Sequence, residues 1–165
     1  MKRTALTALL LGSAGLWSAP ASALELLANC AVSTSGIGFG DYSHLDGDHD
    51  NTGSVTITCT SLLSLLWGQI NYEIKFSAGS SGSFTPRKMY SGSHALEYNL
   101  YTNSARNIIW GDGAGAVSKS GTLAFSLVSI GASRSDDIPV FGRIPGGQQV
   151  PAGAYSDSIT VTVLY

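Results

Sequence analysis

Apolar and polar residues alternate along most of the chain, so that every second side chain within a run is hydrophobic. A period of two is typical of β-strands that bury one face and expose the other. Seven runs show this pattern, at residues 30–34, 55–59, 72–76, 96–100, 123–127, 139–144 and 159–165. Clusters of turn-forming residues separate them, for example at 78–83 and 111–115. After the first 23 residues no segment keeps a long helical period, so we predict an all-β sandwich of short strands.

The last run has the most regular alternation. Ile159, Val161, Val163 and Tyr165 share one face, while serine and threonine occupy the other. Because the sequence stops at Tyr165, we expect this strand to leave a long sheet edge without a partner. A strand supplied from elsewhere would complete that edge.

The first 23 residues have the organisation of a secretory signal peptide. Lys2 and Arg3 form a positive start, an apolar run covers residues 5–17, and small residues at 21–23 fit a cleavage site. The apolar run is too short, and too interrupted by glycine and serine, for a transmembrane anchor. We therefore predict a cleaved signal at 1–23, one domain at 24–165 and no integral membrane segment after cleavage.

Composition and cysteine content agree with export. Charged residues make up 12% of the chain, and the formal net charge of −2 offers no basic patch for nucleic acid or an anionic membrane. We read Cys30 and Cys59 as one disulfide, because exported thiols are usually oxidised and zinc would need further ligands close by. Both cysteines fall on inward-facing positions of their runs, as a disulfide in the core requires.

Four motifs occur in order along the chain. They are CAVSTSGIGFGDY at residues 30–42, GSVTITC at 53–59, LEYNLYTNSARNIIWGDG at 96–113 and VFGRIPGGQQVPAGAYSDSITVTVLY at 140–165. Together they resemble the spore coat protein U-like domain family, the subunit family of archaic chaperone–usher pili. The resemblance covers essentially the whole chain after residue 23.

The resemblance implies an incomplete immunoglobulin-like β-sandwich that lacks its last strand. A periplasmic pilus chaperone would lend a strand to the gap, and at the outer-membrane usher the N-terminal extension of another pilin subunit would replace it. The groove lining implied in this way is Ile159, Val161, Val163 and Tyr165. The implied protein is a structural subunit rather than an enzyme, without a cofactor, secreted through the periplasm to a cell-surface pilus that supports adhesion and biofilm formation.

The segment before Cys30 bears on the position of such a subunit in a fibre. Residues 24–29 span about 20 Å at roughly 3.3 Å per residue, which is short for a donor strand. We therefore expect a subunit that accepts a strand more readily than it donates one, at the tip of a fibre or as a minor component. The alternatives are a tip adhesin that binds surfaces through apolar loops, and a coat protein of a spore or cell surface.

The most apolar stretch outside the N-terminus is SLLSLLWG, at residues 61–68. It is too short to span a bilayer, and it falls between two predicted strands, so we expect a connection, where polar residues are usual. Its apolar residues are Leu62, Leu63, Leu65, Leu66 and Trp67. They form either a short helical lid over one end of the sandwich or an exposed patch for contact with a surface or a subunit.

The segment DYSHLDGDHDNTG, at residues 41–53, is the candidate for metal binding. Asp46, Asp48 and Asp50 have the alternate spacing of a calcium loop, but Asn51 stands where glycine is required and Ile57 where a bidentate glutamate is required. We therefore expect a solvated loop without a specific metal. The serines and histidines fall in no arrangement of nucleophile and base, so we expect no enzyme.

Overall fold

The computed structural model describes residues 28–62, 65–128 and 130–165. Within these ranges the protein is all-β, with eight strands. They are β1 (Ala28–Ser35), β2 (His49–Ser61), β3 (Leu65–Phe76), β4 (Arg87–Ser91), β5 (His94–Tyr101), β6 (Lys119–Val128), β7 (Ser133–Ile144) and β8 (Val161–Leu164). The one helical element in the described ranges is a 3₁₀ turn at Gly79–Ser81. No helix within those ranges has the length and apolar character needed to cross a bilayer.

The strands form two antiparallel sheets, and this confirms the predicted all-β sandwich. One sheet has five strands in the order β1-β2-β7-β5-β4, and the other has three in the order β6-β3-β8. Each of the seven runs of alternating residues falls in a different strand. Strand β8 is shorter than the alternating run at residues 159–165, because only Val161–Leu164 pair with β3. The strand that the sequence did not predict is β4.

Inward-facing residues of the two sheets meet in one core. Along β2, residues 53–61 alternate between buried and partly exposed positions, as the period of two requires. Trp110, from the segment after β5, has no exposed surface, and its ring stacks on that of Phe76 with centroids 4.4 Å apart. Its Nε1 donates a hydrogen bond to the Ile74 carbonyl at 3.1 Å, so the ring is fixed on both its apolar and its polar side.

The predicted disulfide between Cys30 and Cys59 is confirmed. The two residues lie directly opposite each other in the β1–β2 ladder, and a loop of this length adds about 3–4 kcal/mol of stability in the chain-entropy treatment. Cys59 is buried, whereas Cys30 is partly exposed because β1 is the edge strand of its sheet. Val32, on the same face of β1, is 42% exposed. The inward face of β1 is therefore only partly covered by the opposite sheet.

The stretch SLLSLLWG is not the connection that the sequence predicted. β2 continues to Ser61, and Leu65, Leu66 and Trp67 form the start of β3, which pairs here with residues 126–128 of β6. The helical lid is therefore wrong, because hydrogen bonding to a neighbouring strand draws these residues into the sheet. The contact role of the stretch stays a prediction.

Candidate functional site

A groove of about 490 Å³ opens into the core between the two sheets. Its floor is the inner face of the five-stranded sheet, and Phe76 of β3 lies across from it. The floor residues are Val55, Met89, Leu96, Tyr98, Leu100, Val140 and Ile144. Two chain segments border the groove, one after β1 and one before β8. The groove therefore reaches apolar core positions from outside, although each floor residue is itself buried, with no more than 7% of its surface exposed.

The first border, residues 155–160, is held to the sandwich by main-chain hydrogen bonds. Ser156 exchanges two of them with Tyr90 of β4, with N···O distances of 2.9 and 3.1 Å. The Thr160 carbonyl accepts from the Ser77 amide at 3.0 Å, and the Thr160 amide donates to Ser77 Oγ at 2.9 Å. This border then continues into β8, which pairs with β3 and with no other strand of the described ranges. The other edge of β8 thus offers main-chain groups to a further strand.

Asp157 ties the first border to its surroundings. Its Oδ1 accepts hydrogen bonds from the Ser80 amide at 2.8 Å, the Ser80 hydroxyl at 2.6 Å and the Ser158 amide at 2.8 Å. Its Oδ2 accepts from the Tyr98 hydroxyl at 2.6 Å. Burial alone would raise the pKa of the Asp157 carboxyl, but the hydrogen bonds from Ser80 and Tyr98 outweigh it and hold the pKa below its ordinary value. The carboxylate is therefore charged at neutral pH.

The second border, residues 36–40, packs on the sandwich through two side chains. Ile37 and Phe39 are partly buried against the core. They lie over glycines: a Cβ at Gly142 would be 2.7 Å from Phe39 Cζ, and one at Gly53 would be 2.9 Å from Ile37 Cγ1. Any larger residue at these two positions would push this border away from the floor of the groove.

Side chains rather than main-chain groups hold the second border in place. His49 Nε2 hydrogen-bonds with the Phe39 carbonyl, and Asn51 Nδ2 donates to the Gly38 carbonyl. In the described ranges no backbone–backbone hydrogen bond involves residues 36–40. The two borders therefore differ, because the first is built into the ladders and the second is attached by packing and two side-chain bonds.

Arg87, the first residue of β4, has no exposed surface and is linked to the first border through Ser77. Its Nε and Nη2 donate to the Ser77 carbonyl at 3.2 and 2.9 Å. Nη2 also donates to the Trp110 carbonyl at 2.7 Å, and Nη1 donates to Asn99 Oδ1 at 2.9 Å. Burial lowers the pKa of the guanidinium. Because Ser77 also bonds to Thr160, Arg87 acts through Ser77 on the first border.

Of the four residues that the sequence placed in the groove, two line it and two do not. Ile159 and Val161 line it, and Val163 packs against the core beyond it. Tyr165 does not line the groove: it is 49% exposed and lies at a separate depression beside β3 and β6. The physical reason is that the β8 ladder ends at Leu164, so no pairing directs the Tyr165 side chain inward.

Arginine side chains form ion pairs with the carboxylates of the acidic segment at residues 41–53. Arg143 of β7 donates through Nε and Nη2 to the two carboxylate oxygens of Asp50, at 2.7 and 2.9 Å, and reaches Asp48 at 3.0 Å. Arg106 adds a contact with Asp50 at 3.2 Å. The hydrogen bond from Arg143 lowers the pKa of the Asp50 carboxyl. The predicted loop is thus strand from His49 onward: Asp50 lies on β2 directly opposite Arg143, and Asp48, one residue before β2, is the carboxylate that ties the preceding loop to the sheet.

Two exposed apolar residues lie close together at one end of the sandwich. Leu62, after β2, is 48% exposed, and Ile130, between β6 and β7, is 68% exposed. The two connections touch, since the Gly131 amide donates to the Ser61 carbonyl at 2.8 Å. Of the predicted contact residues, Leu62 is therefore at the surface, and Leu63 lies outside the described residues.

The chain is similar to known proteins over most of its length. A family model described as the Spore Coat Protein U domain matches residues 17–162. Protein U of Myxococcus xanthus is 30% identical over 137 residues, which cover 78% of this chain and 71% of that protein. A solved structure, the CsuC–CsuE chaperone–tip adhesion subunit pre-assembly complex from archaic chaperone-usher Csu pili of Acinetobacter baumannii, contains a chain with 22% identity and a TM-score of 0.49. That match covers 84% of this chain and 40% of the other.

Proposed function

Since the chain belongs to the Spore Coat Protein U domain family, we propose that it is a secreted structural subunit of an archaic chaperone–usher pilus. The observation that carries the proposal is the groove of about 490 Å³ with its apolar floor. On one side it is bordered by the segment that leads into β8, whose second edge has no partner in the described chain. An apolar groove beside a free strand edge is the arrangement on which strand addition depends.

Donor-strand complementation is the mode of assembly that fits this arrangement. A strand laid along β8 gains main-chain hydrogen bonds, while every second side chain enters the groove. A periplasmic chaperone supplies this strand first, and at the outer-membrane usher the N-terminal extension of another pilin subunit replaces it. The resulting fibre at the cell surface supports adhesion and biofilm formation.

The bounds of β1 sharpen the expected position of the subunit in a fibre. β1 begins at Ala28, so residues 28 and 29, which the sequence assigned to an extension, belong to the sandwich. With the proposed signal peptide at 1–23, residues 24–27 remain before β1, and four residues can reach at most about 13 Å at about 3.3 Å per residue. We therefore propose a subunit that accepts a strand and donates one poorly, at a tip or as a minor component.

Solution behaviour tests the proposal directly. Secreted without a pilus chaperone, the domain is expected to aggregate or self-associate, because its groove gives access to the core and the outer edge of β8 has no partner in the described chain. Light scattering coupled to size-exclusion chromatography measures this across a dilution series. A protease-resistant monomer at every concentration would contradict the proposal.

A tip adhesin is the second candidate, and exposed Leu62 and Ile130 favour it. Adjacent apolar residues on two connections at one end of a sandwich are suited to contact with an apolar surface. Immunogold electron microscopy with an antibody to this chain distinguishes the positions. We expect label at fibre tips or sparsely along fibres. Continuous label along shafts would exclude the tip position, and label on a cell or spore surface without fibres would favour a coat protein.

A further inference from the structure

The groove contains one charged side chain. Among the residues that line it, Asp157 alone carries a charge at neutral pH; the others are apolar residues, glycines, serines, a threonine and tyrosines. We propose that the strand which fills this groove carries a cationic side chain, lysine or arginine, at the position that faces Asp157. This inference rests on the proposed function, because it names the chemistry of the occupant of the same groove.

Asp157 lies on the inward-facing side of its segment. From Tyr155 to Val163 the odd-numbered residues are partly buried and the even-numbered residues are exposed. Four of the five partly buried positions hold an apolar or aromatic residue, and Asp157 is the exception. Its carboxylate therefore points the same way as Ile159 and Val161, towards the space that an added strand would occupy.

The Asp157 carboxylate has hydrogen-bond donors but no ion-pair partner among the residues that the structure describes. Its partners are the amide and hydroxyl of Ser80, the amide of Ser158 and the hydroxyl of Tyr98, all of them neutral. No lysine, arginine or histidine of the described ranges forms an ion pair with it. The Arg87 guanidinium acts on Asp157 through space but forms no hydrogen bond with it in the described chain, since four of its five N–H groups go to the Ser77 and Trp110 carbonyls and Asn99 Oδ1. Oδ2, with one donor from Tyr98, has capacity for a second.

Filling the groove changes the surroundings of this charge. In the open groove Asp157 is partly exposed, so water completes its solvation. A strand laid over it removes that water, and a carboxylate without a counter-ion is unfavourable in a dry site. An apolar residue of the strand would leave this penalty in place, and an acidic one would increase it. A cationic residue offsets the penalty and sets the register of the strand.

A second copy of this chain does not fit this requirement well. The segment between the predicted cleavage site and β1, residues 24–27, contains Glu25 as its one charged residue and neither lysine nor arginine. Offered as a donor strand, it would bring no cation to Asp157. The charge complementarity therefore points to a different chain as the occupant.

The test uses the full domain with a strand fused after Tyr165 through a hairpin loop of about four residues. The strand alternates apolar and polar residues, and each inward-facing position is set in turn to leucine, lysine or glutamate. We expect one position at which lysine raises the melting temperature above leucine by about 3–6 °C and glutamate lowers it. The same series is measured in Asp157→Asn and, as a charge-matched control, in Asp137→Asn, whose carboxylate is exposed on β7.

The outcomes separate this inference from its premise. The lysine gain is expected to disappear in Asp157→Asn and persist in Asp137→Asn. If the leucine strand stabilises the domain but lysine is never better at any position, the inference is wrong while the groove still accepts a strand. An equal lysine gain in Asp157→Asn also overturns it. If no fused strand raises the melting temperature, the groove is not an acceptor, and both proposals fall.

Discussion

A strand of alternating leucine and threonine fused after Tyr165 is expected to raise the melting temperature of the domain by about 10–20 °C. Such a strand can pair with the free edge of β8 and place apolar side chains on the groove floor, near Val140 and Ile144. Each buried leucine contributes about 1.5–3 kcal/mol, and ordering the strand opposes this, so the net gain is about 4–6 kcal/mol. For a domain of this size each kcal/mol shifts the melting temperature by about 2–4 °C.

The matched control is a fusion of identical length and composition in which the leucines are contiguous rather than alternating. It keeps the mass and hydrophobicity of the extension but cannot present one apolar face to the groove. The melting temperature, measured by differential scanning calorimetry, and the oligomeric state should change together. The alternating fusion should be monomeric. Equal stabilisation by the two fusions would contradict this prediction. No stabilisation by either fusion would indicate that the sandwich is already closed.

Replacing Arg87 by methionine is expected to destabilise the domain by about 3–5 kcal/mol. Methionine fills much of the volume of the arginine but leaves the Ser77 and Trp110 carbonyls without their donor and removes one of the two donors to Asn99 Oδ1. Each buried polar group left unpaired contributes about 1–3 kcal/mol of this loss. Urea unfolding of the strand-fused domain, which should be monomeric, gives the free energy of unfolding.

Lys88→Met is the control for this substitution. Lys88 is the next residue of β4, and its exposed ion pair with Glu97, at 3.5 Å, is of the kind worth about 0–1 kcal/mol. Its removal should therefore change the free energy of unfolding little. Comparable losses for the two variants would show that charge, and not the buried hydrogen bonds of Arg87, determines the effect. Since Ser77 bonds to Thr160, Arg87→Met should also weaken binding of any strand to the groove.

The strand that the sequence missed shows what pattern reading depends on. In β4 the buried positions are Arg87 and Met89, and a charged residue at an inward position hides the alternation. Arg87 is tolerated there because acceptors from Ser77 and Trp110 meet it in the folded chain, and these lie 10 and 23 residues away. No local pattern contains that information.

The opposite error occurred at Leu65–Trp67. Contiguous apolar residues have no period of two, so the sequence favoured a connection, but pairing with residues 126–128 of β6 places them in β3. Asp157 was missed as a groove residue for a related reason. Its position next to the last run was visible, but its inward direction became clear only with its bonds to Ser80 and Tyr98.

The sequence by itself determined the β-sandwich class, seven of the eight strands and the disulfide between Cys30 and Cys59. These follow from local properties, namely which residues alternate and where turn residues interrupt them. The tertiary structure decided where the sandwich is open, which border of the groove is built into a ladder, and that Tyr165 lies outside the groove while Asp157 lies inside it. Those features depend on which distant strands become neighbours, and strand pairing joins residues far apart in the chain, as when Cys59 of β2 meets Arg134 of β7.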